Sequence, residues 1–168
     1  MRGSVFVDSE LCMGCKRCEL ACAVAHSTSK DLLEAIAELP RPQSRVQVDR
    51  LGEFNVPLQC RHCENAQCVA ICPTGAMQRL GKDGPVIIDH ELCVGCRSCV
   101  VVCHYGVPRM SDYGKALIKC DMCIERLDKD EEPACVEACP TGALVFKEIK
   151  VKPKVEKTFV QRFAQDAE

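Results

Sequence analysis

The chain is short of the residues that usually build a core. Its 168 residues include no Trp, 2 Tyr and 5 Phe. Aromatic side chains bury the largest single areas, so a conventional apolar core would be thin here. Charge of one sign is missing too: 22 Lys and Arg stand against 24 Asp and Glu, a formal net charge of −2. That balance excludes a nucleic-acid binder held by a basic face. No apolar run approaches the ~18 residues of a membrane-spanning helix. The first eight residues, Met1 to Asp8, hold no long apolar stretch, no paired arginines and no small-residue cleavage site. They read as a first strand rather than an export signal, and the expected location is cytoplasmic.

Cysteine is the residue in excess, with 16 in the chain. Such a fraction normally suggests a secreted disulfide scaffold, but that needs an oxidising compartment and leaves the spacings unexplained. The cysteines form four groups of four: Cys12, Cys15, Cys18 and Cys22; Cys60, Cys63, Cys68 and Cys72; Cys93, Cys96, Cys99 and Cys103; Cys120, Cys123, Cys135 and Cys139. The last group alone would pass for a four-thiolate zinc site. The first and third, each C-x2-C-x2-C-x3-C, are the run that holds cubane iron–sulfur clusters, with the fourth Cys given to a neighbouring cluster. Three thiolates on a tight loop wrap one corner of a cube. The fourth, expected at the start of a following helix, is carried toward a second cube. Four complete sets predict four [4Fe–4S] clusters and leave no thiol over.

Two internal repeats organise the chain. Glu10-Leu11-Cys12-Met13-Gly14-Cys15 matches Glu91-Leu92-Cys93-Val94-Gly95-Cys96, and Cys72-Pro73-Thr74-Gly75-Ala76 recurs as Cys139-Pro140-Thr141-Gly142-Ala143. Residues 5–80 and 86–147 are therefore two versions of one two-motif unit. Residues 1–147 form the four-cluster domain, with an inserted surface lobe at about 27–57. Gly14 and Gly95 allow backbone amides to approach the clusters. Strands are expected at Ser4–Asp8, Ala76–Arg79, Val86–Asp89 and Leu144–Lys147, and short helices after the last Cys of the motifs. The lobe should hold a helix at Asp31–Glu38 and a hairpin, Arg45–Asp49 with Glu53–Val56, around Leu51-Gly52. Residues 148–168 carry no Cys and read as a docking tail, with an amphipathic helix at Lys157–Ala167 presenting Phe159, Val160 and Phe163. The fold class is α+β: tandem bacterial dicluster ferredoxin-like folds, with short strands and helices around the clusters.

This patterning resembles the polyferredoxin-like electron-transfer subunits of molybdenum and tungsten oxidoreductases, such as dimethyl sulfoxide reductase, formate dehydrogenase and aldehyde oxidoreductase, and of hydrogenases and carbon monoxide dehydrogenase. Cys22-Ala23-Val24-Ala25-His26-Ser27, Pro40-Arg41-Pro42 and Gln59-Cys60-Arg61-His62-Cys63-Glu64 look most like the short subunits of the carbon monoxide dehydrogenase and tungsten aldehyde oxidoreductase systems. The resemblance implies that the first motif pairs with the fourth and the second with the third. One cluster then takes Cys12, Cys15, Cys18 and Cys139, and a second takes Cys120, Cys123, Cys135 and Cys22. A third takes Cys60, Cys63, Cys68 and Cys103, and the last takes Cys93, Cys96, Cys99 and Cys72. Ala23 and His104 depart from the family, which commonly has Pro after the last Cys.

A cube held by four thiolates has no open iron for substrate, so one-electron transfer is the expected function. No G-x-G-x-x-G follows a strand, so the chain is not expected to reduce NAD by itself. A catalytic subunit at one end and a second redox subunit, such as a flavin- or NAD-binding one, at the other would make it part of a hetero-oligomer, without nucleic acid or membrane span. The alternatives are a free diffusible polyferredoxin serving several enzymes, and an enzyme with substrate on a unique iron, which four complete sets disfavour. His26, His62, His90 and His104 are not needed as ligands; His62 and His104 adjoin ligand cysteines within reach of sulfur, with surface position or packing beside the ligands as the default. Arg61, Lys119 and Arg126 are candidates for offsetting cluster charge, with solvated surface as the default.

Overall fold

The computed structural model describes residues 3–112 and 117–148. The expected tail helix at Lys157–Ala167 lies outside them. In chain order, β1 (Gly3–Val7) leads into α1 (Arg17–Ala25) and α2 (Leu32–Ala37). The hairpin β2 (Gln47–Leu51) and β3 (Phe54–Leu58) follows, then α3 (Gln67–Ala70), β4 (Met77–Arg79), β5 (Val86–Ile88) and α4 (Ser98–Val101). The chain continues through β6 (Arg109–Met110), β7 (Leu117–Ile118), α5 (Ile124–Leu127), α6 (Ala134–Glu137) and β8 (Leu144–Glu148). Among the described residues the strands form four two-stranded antiparallel sheets. No helix among them is long and apolar enough to cross a membrane.

The sheets bring distant parts of the sequence together. β1 pairs with β8 in the register Val5↔Phe146 and Val7↔Leu144, and α1 packs on α6. The first motif therefore lies beside the fourth. The second and third motifs are joined by β4 with β5, in the register Met77↔Ile88, and by α3 against α4. Two small cores result. One gathers Val5, Val46, Val48, Met122, Val136 and Leu144 around Cys18, Cys22 and Cys135. The other gathers Met77, Val86 and Leu117 around Cys99. Neither holds a buried aromatic ring, and sulfur side chains occupy the positions that aromatics would otherwise fill.

Local chemistry explains the elements. Asp31 caps α2: its Oδ1 accepts from the amides of Leu33 at 2.8 Å and Glu34 at 3.1 Å, satisfying two orphan donors of the first turn. β2 and β3 run two residues further along than the alternation suggests, because Leu51 pairs with Phe54 across a two-residue loop in which Gly52 supplies the positive φ. The inserted segment is not wholly a surface lobe. Leu33 and Ile36 of α2 are exposed, but Val46, Val48 and Pro57 are buried against the first core. The hairpin thus closes over the first motif, since a face bearing Val46 and Val48 gains more by leaving water than by staying exposed.

One expectation is corrected. The single-turn helices do not follow the last Cys; they lie between the third and the fourth. Cys18 and Cys22 sit within α1, and Cys68, Cys99 and Cys135 sit within α3, α4 and α6. Cys72, Cys103 and Cys139 come just after those turns. A spacing of four residues is slightly more than one turn, a rise of about 6 Å. The third and fourth sulfurs are thus staggered along the axis and can serve different sites.

Candidate iron–sulfur sites

The structure brings most of the cysteines into four-membered sets. Cys12, Cys15, Cys18 and Cys139 line one pocket with Val48, Pro57 and Leu144. Cys72, Cys93, Cys96 and Cys99 line its counterpart, with Met77, Ile88 and Leu117. Cys120, Cys123, Cys135 and Cys22 form a buried set: burial first, and then the sulfurs of Cys120, Cys22 and Cys123, push the Cys135 thiol far up. Among the remaining cysteines, burial followed by the Cys60 sulfur, and to a lesser degree that of Cys103, raises the Cys68 thiol. Cys63 is exposed on the adjoining loop, its carbonyl held by the Arg79 guanidinium.

These sets also have an order. Helix α1 carries Cys18 into the first set and Cys22 into the second. Cys120 of the second feels Cys60 of the third. The α3 and α4 turns carry Cys68 and Cys103 into the third set, and Cys72 and Cys99 into the fourth.

The donor chemistry fits iron–sulfur clusters. Each set offers thiols, without a carboxylate or imidazole in their place. Backbone amides turn toward the sulfurs: Arg45 N donates to Cys22 Sγ at 3.2 Å, and His62 N, Met77 N and Met122 N donate to Cys60, Cys72 and Cys120 at 3.4 Å. The backbone makes this possible by adopting positive φ at Gly14, Lys16, His62, Gly95, Arg97 and Met122, which turns successive N–H groups into anion-binding concavities. Burial pushes the Cys18, Cys99 and Cys123 thiols up to about 11. The metal-free chain therefore holds protonated thiols at these positions, and ligation must expel their protons, which couples folding to cluster loading.

The histidines take different places. Neither His62 nor His104 donates a ring hydrogen bond to sulfur among the described interactions. His62 is 6% exposed, and its Nδ1 accepts from Val86 N at 3.0 Å. Burial, and then the Lys119 charge, push its pKa down to about 3, so the ring is neutral with its proton on Nε2. That N–H has no acceptor among the described residues, an orphan that an anionic sulfur group would satisfy. His26 is the ring that meets sulfur, with Nδ1 3.7 Å from Cys22 Sγ and 2.7 Å from the Cys22 carbonyl. Nε2 lies 3.1 Å from Asp121 Oδ1. Burial opposes its charge, but the bonds to Asp121 and Cys22 prevail and raise its pKa to about 9. Asp121 also accepts from Arg45 and from Cys123 N. The i, i+4 spacing of Cys22 and His26 within one helix was the sequence signal for this contact. Arg126 meets Glu131 and Glu137 on the surface, whereas Lys119 is buried.

Comparison with known proteins agrees with this chemistry. Two family models described as 4Fe-4S dicluster domain match, one over residues 52–149 and one over residues 11–77. The chain belongs to the 4Fe-4S dicluster ferredoxin family. It is an iron–sulfur electron-transfer protein, and it binds 4Fe-4S clusters. Among its relatives is the B subunit of anaerobic dimethyl sulfoxide reductase of Escherichia coli, 36% identical over 146 residues, covering 84% of this chain and 71% of the relative. An iron-sulfur protein of Rhodospirillum rubrum is 40% identical over 153 residues, covering 83% of this chain and 79% of that protein. Electron transport protein HydN of Escherichia coli is 35% identical over 160 residues, covering 86% and 87%.

Proposed function

We propose that this dicluster-family chain is the electron-transfer subunit of a multi-subunit oxidoreductase. In this reading it relays single electrons through four [4Fe–4S] clusters between a catalytic subunit and an acceptor subunit. The observation that carries it is that two pockets are each lined by four cysteines drawn from two motifs, while Cys135 feels Cys120, Cys22 and Cys123, and Cys68 feels Cys60 and Cys103. The sixteen cysteines are assigned as ligands in the sets Cys12/Cys15/Cys18/Cys139, Cys22/Cys120/Cys123/Cys135, Cys60/Cys63/Cys68/Cys103 and Cys72/Cys93/Cys96/Cys99. When loaded, such sites supply one-electron chemistry. The chain's own residues exclude water with Val48, Pro57, Leu144, Met77 and Leu117, and aim amides at sulfur, which tunes potential.

The kinship with the B subunit of dimethyl sulfoxide reductase supports a catalytic partner. Tungsten or molybdenum aldehyde or formate oxidoreductase, carbon monoxide dehydrogenase and hydrogenase are the partner classes proposed, in the cytoplasm, where thiols stay reduced. Residues 148–168 are proposed as the element that docks on the partner.

The test is anaerobic isolation of the native protein. About sixteen irons per chain, as four cubes require, and copurification with one enzyme in fixed ratio are expected. Elution alone, with equal electron exchange to many enzymes, would instead identify a free carrier. Cys18→Ser should lose or convert one cluster; full iron with unchanged spectra would remove Cys18 from the ligand set.

A further inference from the structure

Among the described residues, Lys119 is the one charged side chain of the Asp, Glu, Lys and Arg class that is buried, at 4% exposure. Its ammonium donates to the carbonyls of Cys120, at 2.6 Å, and Val86. No salt bridge reaches it among the described residues. Arg45 is paired with Asp121, and Arg126 with Glu131 and Glu137; Arg61 and Arg79 also donate to backbone carbonyls, but from only half-buried positions. A buried ammonium held only by neutral carbonyls is costly unless anionic charge lies nearby. The Asp121 carboxylate also reaches this region, but it is already paired with Arg45 and His26; the remaining anionic groups are the cysteine sets. Lys119 adjoins Cys120 in sequence, and its charge also bears on Cys68 and on His62, which lies between Cys60 and Cys63. It stands between the second and third sets, where Cys120 feels Cys60.

We propose that Lys119 is a fixed cation shared by the two inner sites, Cys22/Cys120/Cys123/Cys135 and Cys60/Cys63/Cys68/Cys103, and that it raises the reduction potential of both above what their sulfur ligands alone would give. The electrostatics require this sign. Taking up an electron makes a four-thiolate site more negative, and a neighbouring positive charge stabilises the reduced form more than the oxidised one. Burial removes the water and salt that would screen the effect. Lys119 is not among the main charges bearing on Cys18, Cys139, Cys72 or Cys99 of the outer sites, so its effect falls chiefly on the inner pair. Lys119 touches no reacting atom and is a positioning residue. The inference rests on the four-cluster reading.

The experiment is an EPR-monitored redox titration of the anaerobically isolated protein, wild type against Lys119→Gln, Lys119→Met and Lys119→Arg, with iron counted in each. The expected result is full iron in all forms, two of the four midpoint potentials lowered in the Gln and Met variants with the other two unmoved, and near wild-type values in the Arg variant. Full iron with four unmoved midpoints in Lys119→Gln, or the same displacement of all four, overturns the proposal. If the Gln and Met variants do not load, the Arg variant decides. Full loading with all midpoints in place supports a requirement for the charge, and failure to load overturns it. Wild-type protein with far fewer than about sixteen irons refutes the four-cluster reading itself, whatever the variants do.

Discussion

Leu144→Ala tests whether the thin apolar frame around the first site protects it. Leu144 is 2% exposed, packs in the core with Val5, Val48 and Met122, and lines the pocket of Cys12, Cys15, Cys18 and Cys139. Among the described residues, β8 is hydrogen-bonded to β1 alone and packs on the single-turn α6, so little structure is at hand to collapse into the space. Truncation removes the buried isobutyl group and leaves a cavity, costing about 2–5 kcal/mol. At about 1.4 kcal/mol per tenfold, the open population beside this site rises roughly thirtyfold or more. Chelator-driven iron release under anaerobic conditions reads that population when opening is fast relative to capture. The expected outcome is a quarter of the iron leaving early, with the remainder following at the wild-type rate. Leu144→Met, which keeps the volume, should cost less than about 1.5 kcal/mol. Release from the Ala variant within about threefold of wild type, the effect of a surface change, would refute the reasoning.

Gly14→Ala should weaken the same site by about 1–2 kcal/mol, because Gly14 has φ +72 and an added Cβ would lie 2.8 Å from Asn55 Cγ. Faster iron loss confined to one cluster is the readout. Asp31→Ala removes the α2 cap at a cost of about 0.5–2 kcal/mol; amide exchange at Leu33 and Glu34 should speed up while iron content stays unchanged. Glu38 is held below its ordinary range by hydrogen bonds from Ser29 and Thr28. A depressed folded pKa means that its contribution is present above the ordinary Glu value and is lost as pH falls through the lower, folded one. The Thr28 and Ser29 amide resonances should therefore titrate below the ordinary Glu range, and Glu38→Gln should abolish the transition.

The motifs legible in the sequence are those whose chemistry is local. The strand ahead of Cys12, the strands after the two CPTGA turns and the helix that starts at Asp31 depend on neighbouring residues alone, and the structure contains all of them. The helical turns expected after Cys72 and Cys139 lie before them instead, because the Pro after each marks where a helix must stop and says nothing of the turn ahead of it. The hairpin reads as surface from its alternation, which shows a buried face without showing what covers it. Only half of what His26 does is legible in the sequence: its i, i+4 spacing signals the Cys22 contact, but its Asp121 contact spans 95 residues.

Composition and spacing alone determined that sulfur, rather than aromatic carbon, centres this protein, because sixteen cysteines in four groups of four leave no other economical use. Tertiary structure decided which motifs stand side by side: β1 finds β8 at the far end of the chain, a pairing between non-adjacent segments that no local signal encodes. It also decided that Lys119 is the buried one among the described lysines. Burial is a property of everything packed around a residue and cannot be read from the residue itself.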